Sequence, residues 1–571
     1  SPENIAALST SQVAAITTAQ LAAVTTAQMA SLTTAQVAAL TTAQASKLST
    51  DQVASLTTAQ VAALTTAQIA QGLTTAQVAA LTTGQVASLT TAQIAQGLTT
   101  AQVVALTTGQ VAGLTTTQVS TLATAKLQAI STAGVAALTS DQVVSLTTGQ
   151  VAAITTTQLQ ALTNSSVNAL TTTQVTALGA TQVASLTTGT VTALSSDQIA
   201  SLTTTQVGAL TTTQVAAVKA DQVVALTTAQ VAKLSTTQLA AVTNANVASL
   251  STAQVNALST AQLTSMSVDQ VKSFTAAAVT NLATDKLAVL TTTQVASLTA
   301  DQMGALTTSE AVALTTTQVK VLGADQIRAL STASVAALTT SQVQALTTGQ
   351  VASLTNTTVA SLTTDQVSAL STTQVKVLAD SVVTALSTAQ LTALTTSQVG
   401  ALSSAQMKML TSEQLQALTT QQLGALKAAQ FNAIDSALIS SLSLDQIKGI
   451  STVAIAGMDD AHLAKLTTDQ VAALTTVAVK ALKATQIASF SSDQVASLTT
   501  KQLAALSTDQ LTSMDAELIA AIETNDIAGL TTAQVAALGT EQFSAMTSGQ
   551  LGALTTAQFA AVTRSEERRV G

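Results

Sequence analysis

An apolar residue returns at every eighth position for almost the whole length of this chain, and few folds accept that period. From Leu98 to Val562 there are 58 consecutive eight-residue steps, each landing on Leu, Ile, Val, Met or Phe. The same period runs from Leu8 to Leu64, and two nine-residue units, 64–73 and 89–98, gain a residue in an Ile-Ala-Gln-Gly ending. The commonest octad reads LTTAQVAA, as at residues 73–80. On an unbroken α-helix eight residues advance ~800°, so the anchors would drift by ~80° per repeat and never line one face. A long helical rod and a heptad coiled coil are both excluded on that ground.

Numbered from its anchor, each octad carries at positions 2 to 5 the S/T-x-x-Q pattern of a helix capping box. In residues 73–80, Thr74 is the expected N-cap, its hydroxyl taking the backbone N–H of Gln77 while the Gln77 side chain returns to the N–H of Thr74. Leu73 and Val78 then occupy the two positions of a hydrophobic staple. The charged residues agree with this reading. Asp recurs at position 4, as in Asp51, Asp141, Asp221, Asp301, Asp365 and Asp509, facing the positive end of a helix. Lys and Arg favour the last two positions, as in Lys47, Lys233, Lys320, Arg328 and Lys376. A β-solenoid is the main rival, because Thr and Val favour strands. Positions 1 and 6 have opposite parity, however, and would face opposite sides of a strand, while Ala is the best helix former.

The expected fold is therefore all-α: a solenoid or superhelix of very short capped helices, one per eight-residue repeat. Segments of about five to seven residues should break at each Leu-Thr joint. Leu226, Leu298, Leu362 and Leu498 should be buried with their staple partners Val231, Met303, Val367 and Leu503. Small residues at positions 7 and 8 should let neighbouring helices approach closely. One octad buries a Leu and a Val, worth roughly 1.5–3 kcal/mol each. Ordering its backbone costs about 1–2 kcal/mol per residue. No octad can stand alone, so neighbouring repeats of the same chain are the obligatory partners.

Residues 1–563 read as one continuous array, with no linker or change of register to divide it. The chain opens inside a repeat at Ser1-Pro2 and is expected to be a fragment open at both ends. Its last eight residues, RSEERRVG at 564–571, resemble the translation of a sequencing adapter and are set aside as a non-native tail. Residues 427–465 are the least regular. Asp435, Asp459 and Asp515 still serve as caps there and further on, and Gly179, Gly323 and Gly539 are tolerable ones. Lys219, Lys427 and Lys483 occupy the cap position without an acceptor, and the sequence offers no reason for them.

Reactive chemistry is scarce. With no Cys, Trp or Tyr and a single His, neither a nucleophilic triad nor a His or thiolate metal cluster can be assembled. Asp459, Asp460 and His462 form the one close acid–His group. His462 stands in the Gln position of a capping box, so a variant cap is preferred to a metal site. Catalytic, cofactor-binding and metal-binding residues are expected to be none, and the protein is expected not to be an enzyme. Thr pairs interrupt every octad, so no stretch reads as a membrane span.

Three resemblances bear on function. Residues 98–106, LTTAQVVAL, resemble the LTPEQVVAIA opening of the TAL effector repeat, but without its second helix or its ~34-residue period. A net charge of −8 also leaves few cations for phosphates, so no nucleic-acid partner is expected. The LTxxQ string resembles the motif of small periplasmic chaperones of the Spy type. Tandem LTxxQVxAL arrays resemble the repeat regions of very large bacterial secreted or surface proteins. That last resemblance implies a non-catalytic, adhesin-like stalk or spacer at the cell surface or outside the cell. The alternative is a repetitive binding surface for ice, glycan or protein, built from ladders of Thr.

Overall fold

Each octad folds as its capping signals dictate. In residues 362–369 the N–H of Thr363 donates to Gln366 Oε1 at 2.7 Å, and the N–H of Gln366 donates to the Thr363 hydroxyl at 3.2 Å. These two bonds complete a capping box at the start of the helix Thr364–Ala369. Two extended residues, Leu370 (φ −59°, ψ 140°) and Ser371 (φ −72°, ψ 159°), then lead straight into the next helix. No residue has a positive φ among those described. The helices therefore end without the left-handed C′ residue that commonly closes a helix and satisfies its last carbonyls.

The structure, a computed structural model, describes residues 1–562; the tail at 564–571 lies outside the described residues. Helices of four to six residues follow one another throughout, with no strand among the described residues. They are slightly shorter than the sequence suggests, because anchor and cap are both spent on the joint. The chain divides into two compact units, Ser1–Leu282 and a second beginning at Ala283.

Within each unit a helix packs against the third helix before it, as Thr364–Ala369 does on Thr340–Ala345 and Thr332–Ala337 on Thr308–Ala313. Anchors and staple residues point inward: Leu362, Val367, Leu498 and Leu503 are buried, as are Leu298 and Met303. Positions 2, 3 and 4 face outward, position 8 is half-buried, and position 7 is half-buried in octads such as those of Ala62 and Ala79. Small residues do allow close approach at position 7, where a Cβ on Gly424 would lie 2.9 Å from the Gly449 carbonyl. Valines standing there are open to solvent, Val104 57% and Val224 53% exposed.

The two nine-residue units are absorbed without loss of register. Their extra residue widens the helix to a π-turn at Gln68–Gly72 and Gln93–Gly97, where the N–H groups of Leu73 and Leu98 reach back five residues, both at 2.8 Å. The two π-turns pack on each other. Glycine is required because the previous turn is close: a Cβ on Gly72 would lie 2.9 Å from Ala45 Cβ.

Leu226 departs from expectation, being only half-buried while its staple partner Val231 is 1% exposed. Two nearby anchors, Val218 and Val242, are smaller than the usual Leu. They border a wholly apolar void of about 30 Å³ that Leu226 also lines. Restoring Leu at Val218 adds one methylene and should stabilise the surrounding octads by up to about 0.8 kcal/mol. Hydrogen exchange of residues 215–245 should slow in Val218→Leu; unchanged or faster exchange would show that the void cannot take the side chain.

Candidate functional site

The side chain that does most in this molecule is the buried Gln at position 5. Its Oε1 accepts from the cap residue, and its Nε2 points away across the stack. Gln366 Nε2 donates to the carbonyls of Val335 at 2.9 Å, Ala336 at 3.3 Å and Leu338 at 2.6 Å. Those carbonyls close the helix Thr332–Ala337, the fourth before its own. One amide thus caps the start of one helix and the end of another, and Gln366 is only 2% exposed.

The pattern recurs through both units with the same separations. Gln198 reaches Leu170 at 2.6 Å, Gln398 reaches Leu370 at 2.6 Å and Gln502 reaches Leu474 at 2.7 Å, each 28 residues back. Where a π-turn intervenes the separation stretches, and Gln102 finds Ile69 and Leu73 at 2.7 and 2.6 Å. Packing on the third helix back and capping the fourth puts between three and four octads in each turn.

Several substitutes at position 5 still donate to carbonyls of the earlier helix, whereas Thr190 and Thr358 bond to their own cap hydroxyls. Asn246 Nδ2 reaches Val218 O at 2.6 Å, Ser334 Oγ reaches Leu306 O at 2.9 Å, and Lys126 Nζ lies on the carbonyls of Ile94 and Ala95. Burial pushes the Lys126 ammonium below the ordinary lysine value. Glu310 keeps the cap half alone of the Gln role, accepting from the Thr307 N–H at 2.7 Å.

His462 is one more such substitute. Its Nδ1 lies 2.6 Å from Asp459 Oδ1 and its Nε2 lies 2.8 Å from the carbonyl of Ile434, again 28 residues back. Asp459 also accepts the backbone N–H of His462 at 3.0 Å, which makes it the cap that the sequence suggests. The Ile434 carbonyl can only accept, so Nε2 is the donor at that contact. Asp460 stays outside this arrangement and accepts from Ser489 Oγ at 3.3 Å. No group of three potential metal ligands occurs among the described residues. Burial raises the Asp459 carboxyl, but hydrogen bonds and charge from His462 outweigh it and hold the group below the ordinary carboxylate value.

The irregular caps also find their explanation. Asp515 accepts the N–H of Leu518 at 2.8 Å, whereas Asp435 accepts that of Ala437 and starts a tighter 3₁₀ turn, Ser436–Ser441. At Gly179, Lys219, Lys427 and Lys483 the Gln half of the box persists, with Lys427 N–H on Gln430 Oε1 at 2.9 Å and Lys483 N–H on Gln486 Oε1 at 2.6 Å. None of these four residues supplies a side-chain acceptor.

Comparison with known families agrees with the repeat. The ALTTAQ repeat family matches residues 13–50, 26–58, 151–188, 188–220, 310–340, 319–356, 383–412, 478–508 and 519–563. The chain is thus a tandem repeat array, its matched stretches similar to ALTTAQ repeats. No curated protein matches it.

Two expectations follow. Gln366→Glu keeps the capping box but turns a carboxylate oxygen toward the carbonyls of Val335 and Leu338. The variant should lose about 3 kcal/mol of local stability at neutral pH, the scale of an uncompensated buried charge. A carboxyl held there has a raised pKa, so the loss should shrink as pH falls toward the ordinary Glu value of ~4.3. Asp459 behaves oppositely. Its contribution is present above the unfolded value of ~3.9 and is lost as pH falls through the lower folded one. Protection of the amides near His462, corrected for the intrinsic pH dependence of exchange, should therefore fall on acidification in the wild type, and Asp459→Asn should lack that acid-dependent step.

Proposed function

We propose that this array is a non-catalytic structural region, a stalk or spacer within a larger extracellular or surface protein. What supports the reading above all is where the directional chemistry goes. The two polar side chains repeated in nearly every octad with fixed geometry are the cap hydroxyl at position 2 and the Gln at position 5, and both are spent on bonds inside the array. The outward positions carry Thr, Ser and Ala with scattered charges and no recurring aromatic or reactive group. No helix among the described residues is long and apolar enough to cross a membrane. The likeness of the octads to arrays in large bacterial secreted and surface proteins suggests the location.

A repetitive binding surface is the second reading, favoured by the outward Thr at position 3. The first hydroxyl of each Thr pair is occupied in the capping box, as at Thr363, while the second, as at Thr364, is exposed.

Octad number separates the two readings. Deleting residues 330–353 removes three whole octads and rejoins Ala329 to Leu354 in register. A spacer should stay folded and lose length only, with its partners unaffected. A repetitive surface would lose affinity for ice, glycan or protein in proportion to the octads removed. Saturable binding that scales with octad count would overturn the spacer reading.

A further inference from the structure

Lys427 breaks two local rules at once. It stands at an N-cap, where a side-chain acceptor is wanted, and it brings a positive charge to the positive end of a helix. The N–H of Gln430, which a Thr or Ser hydroxyl would take, turns instead to the Lys427 carbonyl at 3.0 Å. Such a lapse in an otherwise regular array is where a site is worth seeking.

Lys427 borders an open cleft of about 400 Å³ in the second unit, and Lys376, from a helix two levels away in the stack, borders it too. Gly400 lies between them. It lacks a side chain, and a Cβ there would lie 3.2 Å from the Ala425 carbonyl. Thr372, Thr373 and Ser404 add hydroxyls, and no acidic residue lines the cleft. The Ser404 hydroxyl donates to the Ala429 carbonyl at 3.2 Å and that of Thr373 lies 3.2 Å from Ser371 Oγ, which leaves each a lone pair to accept from a ligand. Neither ammonium has an ion-pair partner among the described residues, although the chain is acidic overall. Both lysines are exposed, so neither is held by packing.

We propose that this cleft binds an anionic sugar: one pyranose ring bearing a carboxylate or sulfate. The anion would sit between Lys376 and Lys427, the ring hydroxyls would meet those of Thr373 and Ser404, and one ring face would lie over Gly400 and Ala401. The cleft is within the size range of small-molecule sites. This is one site on one face, distinct from the repeated Thr ladder.

The test uses the full chain in equilibrium dialysis with glucuronate as the probe, and glucose and inorganic sulfate as comparisons. Saturable one-to-one binding of glucuronate, at least tenfold tighter than glucose, is expected. Lys427→Thr should abolish that binding while raising the thermal midpoint, because it restores the cap; a loss of binding therefore cannot be blamed on misfolding. Lys427→Arg should retain binding, Lys376→Ala should weaken it at least tenfold, and Lys219→Thr and Lys483→Thr should leave it unchanged. The proposal is overturned if glucuronate does not saturate, if Lys427→Thr binds as well as wild type, or if the control lysines matter equally. Equal binding of inorganic sulfate would overturn the sugar part by showing that any anion suffices.

Discussion

The rest of the structure depends on one side-chain amide used in two directions. A helix of four to six residues leaves most of its backbone N–H and C=O groups without partners inside the helix. An array of such helices would bury those groups at every level, at a cost that no two-residue core could offset. Gln solves both ends at once: Oε1 closes the box at its own N-terminus, and Nε2 closes the C-terminus of the fourth helix before it. The amide suits both tasks together, because it offers an acceptor and two donors on one side chain. The chain needs no left-handed C-cap in consequence, and where glycine is required, as at Gly72, the reason is close approach and not a positive φ.

That division of labour explains how the array tolerates drift. The acceptor stays fixed, the anchor carbonyl 28 residues back, and several donors can address it. Asn246, Ser334 and His462 each do so with different geometry. The cap half is equally forgiving, since Gln Oε1 still holds the N–H of Gly179 or Lys427 when the hydroxyl is missing. Each bond is local to one pair of levels, so a defect weakens its neighbours and leaves distant octads alone. Such a chain can lengthen by repetition and change its surface freely, as a spacer requires.

Much of the fold was legible in the sequence because its signals are local. Capping box, staple and the placement of Asp and Lys all act within eight residues, and they sufficed for helix type and for nearly all the inward anchors. The turn of the superhelix was not read, because it is fixed by a contact 28 residues long. Two clues to it were nevertheless present. A capping box accepts Glu as readily as Gln, yet Glu310 is the one Glu at position 5, which marks that position as needing a donor. The two nine-residue units also lie 25 residues apart, the spacing of neighbours one turn removed. Burial of Leu226 failed for a similar reason: it depends on the smaller Val218 and Val242, which belong to other octads. Nor could octad-level reading find the cleft beside Lys427, since Lys376, Gly400 and Lys427 come from three separate levels.

The most direct test of the central claim is the hydrogen exchange of the Gln side-chain amides themselves, followed by ¹H–¹⁵N spectroscopy on ¹⁵N-labelled protein. If Nε2 donates to buried carbonyls in nearly every octad, most Gln NH₂ pairs should be dispersed in chemical shift and exchange slowly, alongside the backbone amides of their own octads. Gln NH₂ signals that collapse at solvent-like shifts and exchange at once, while the backbone stays protected, would show that the helices cohere without this bond and would contradict the account.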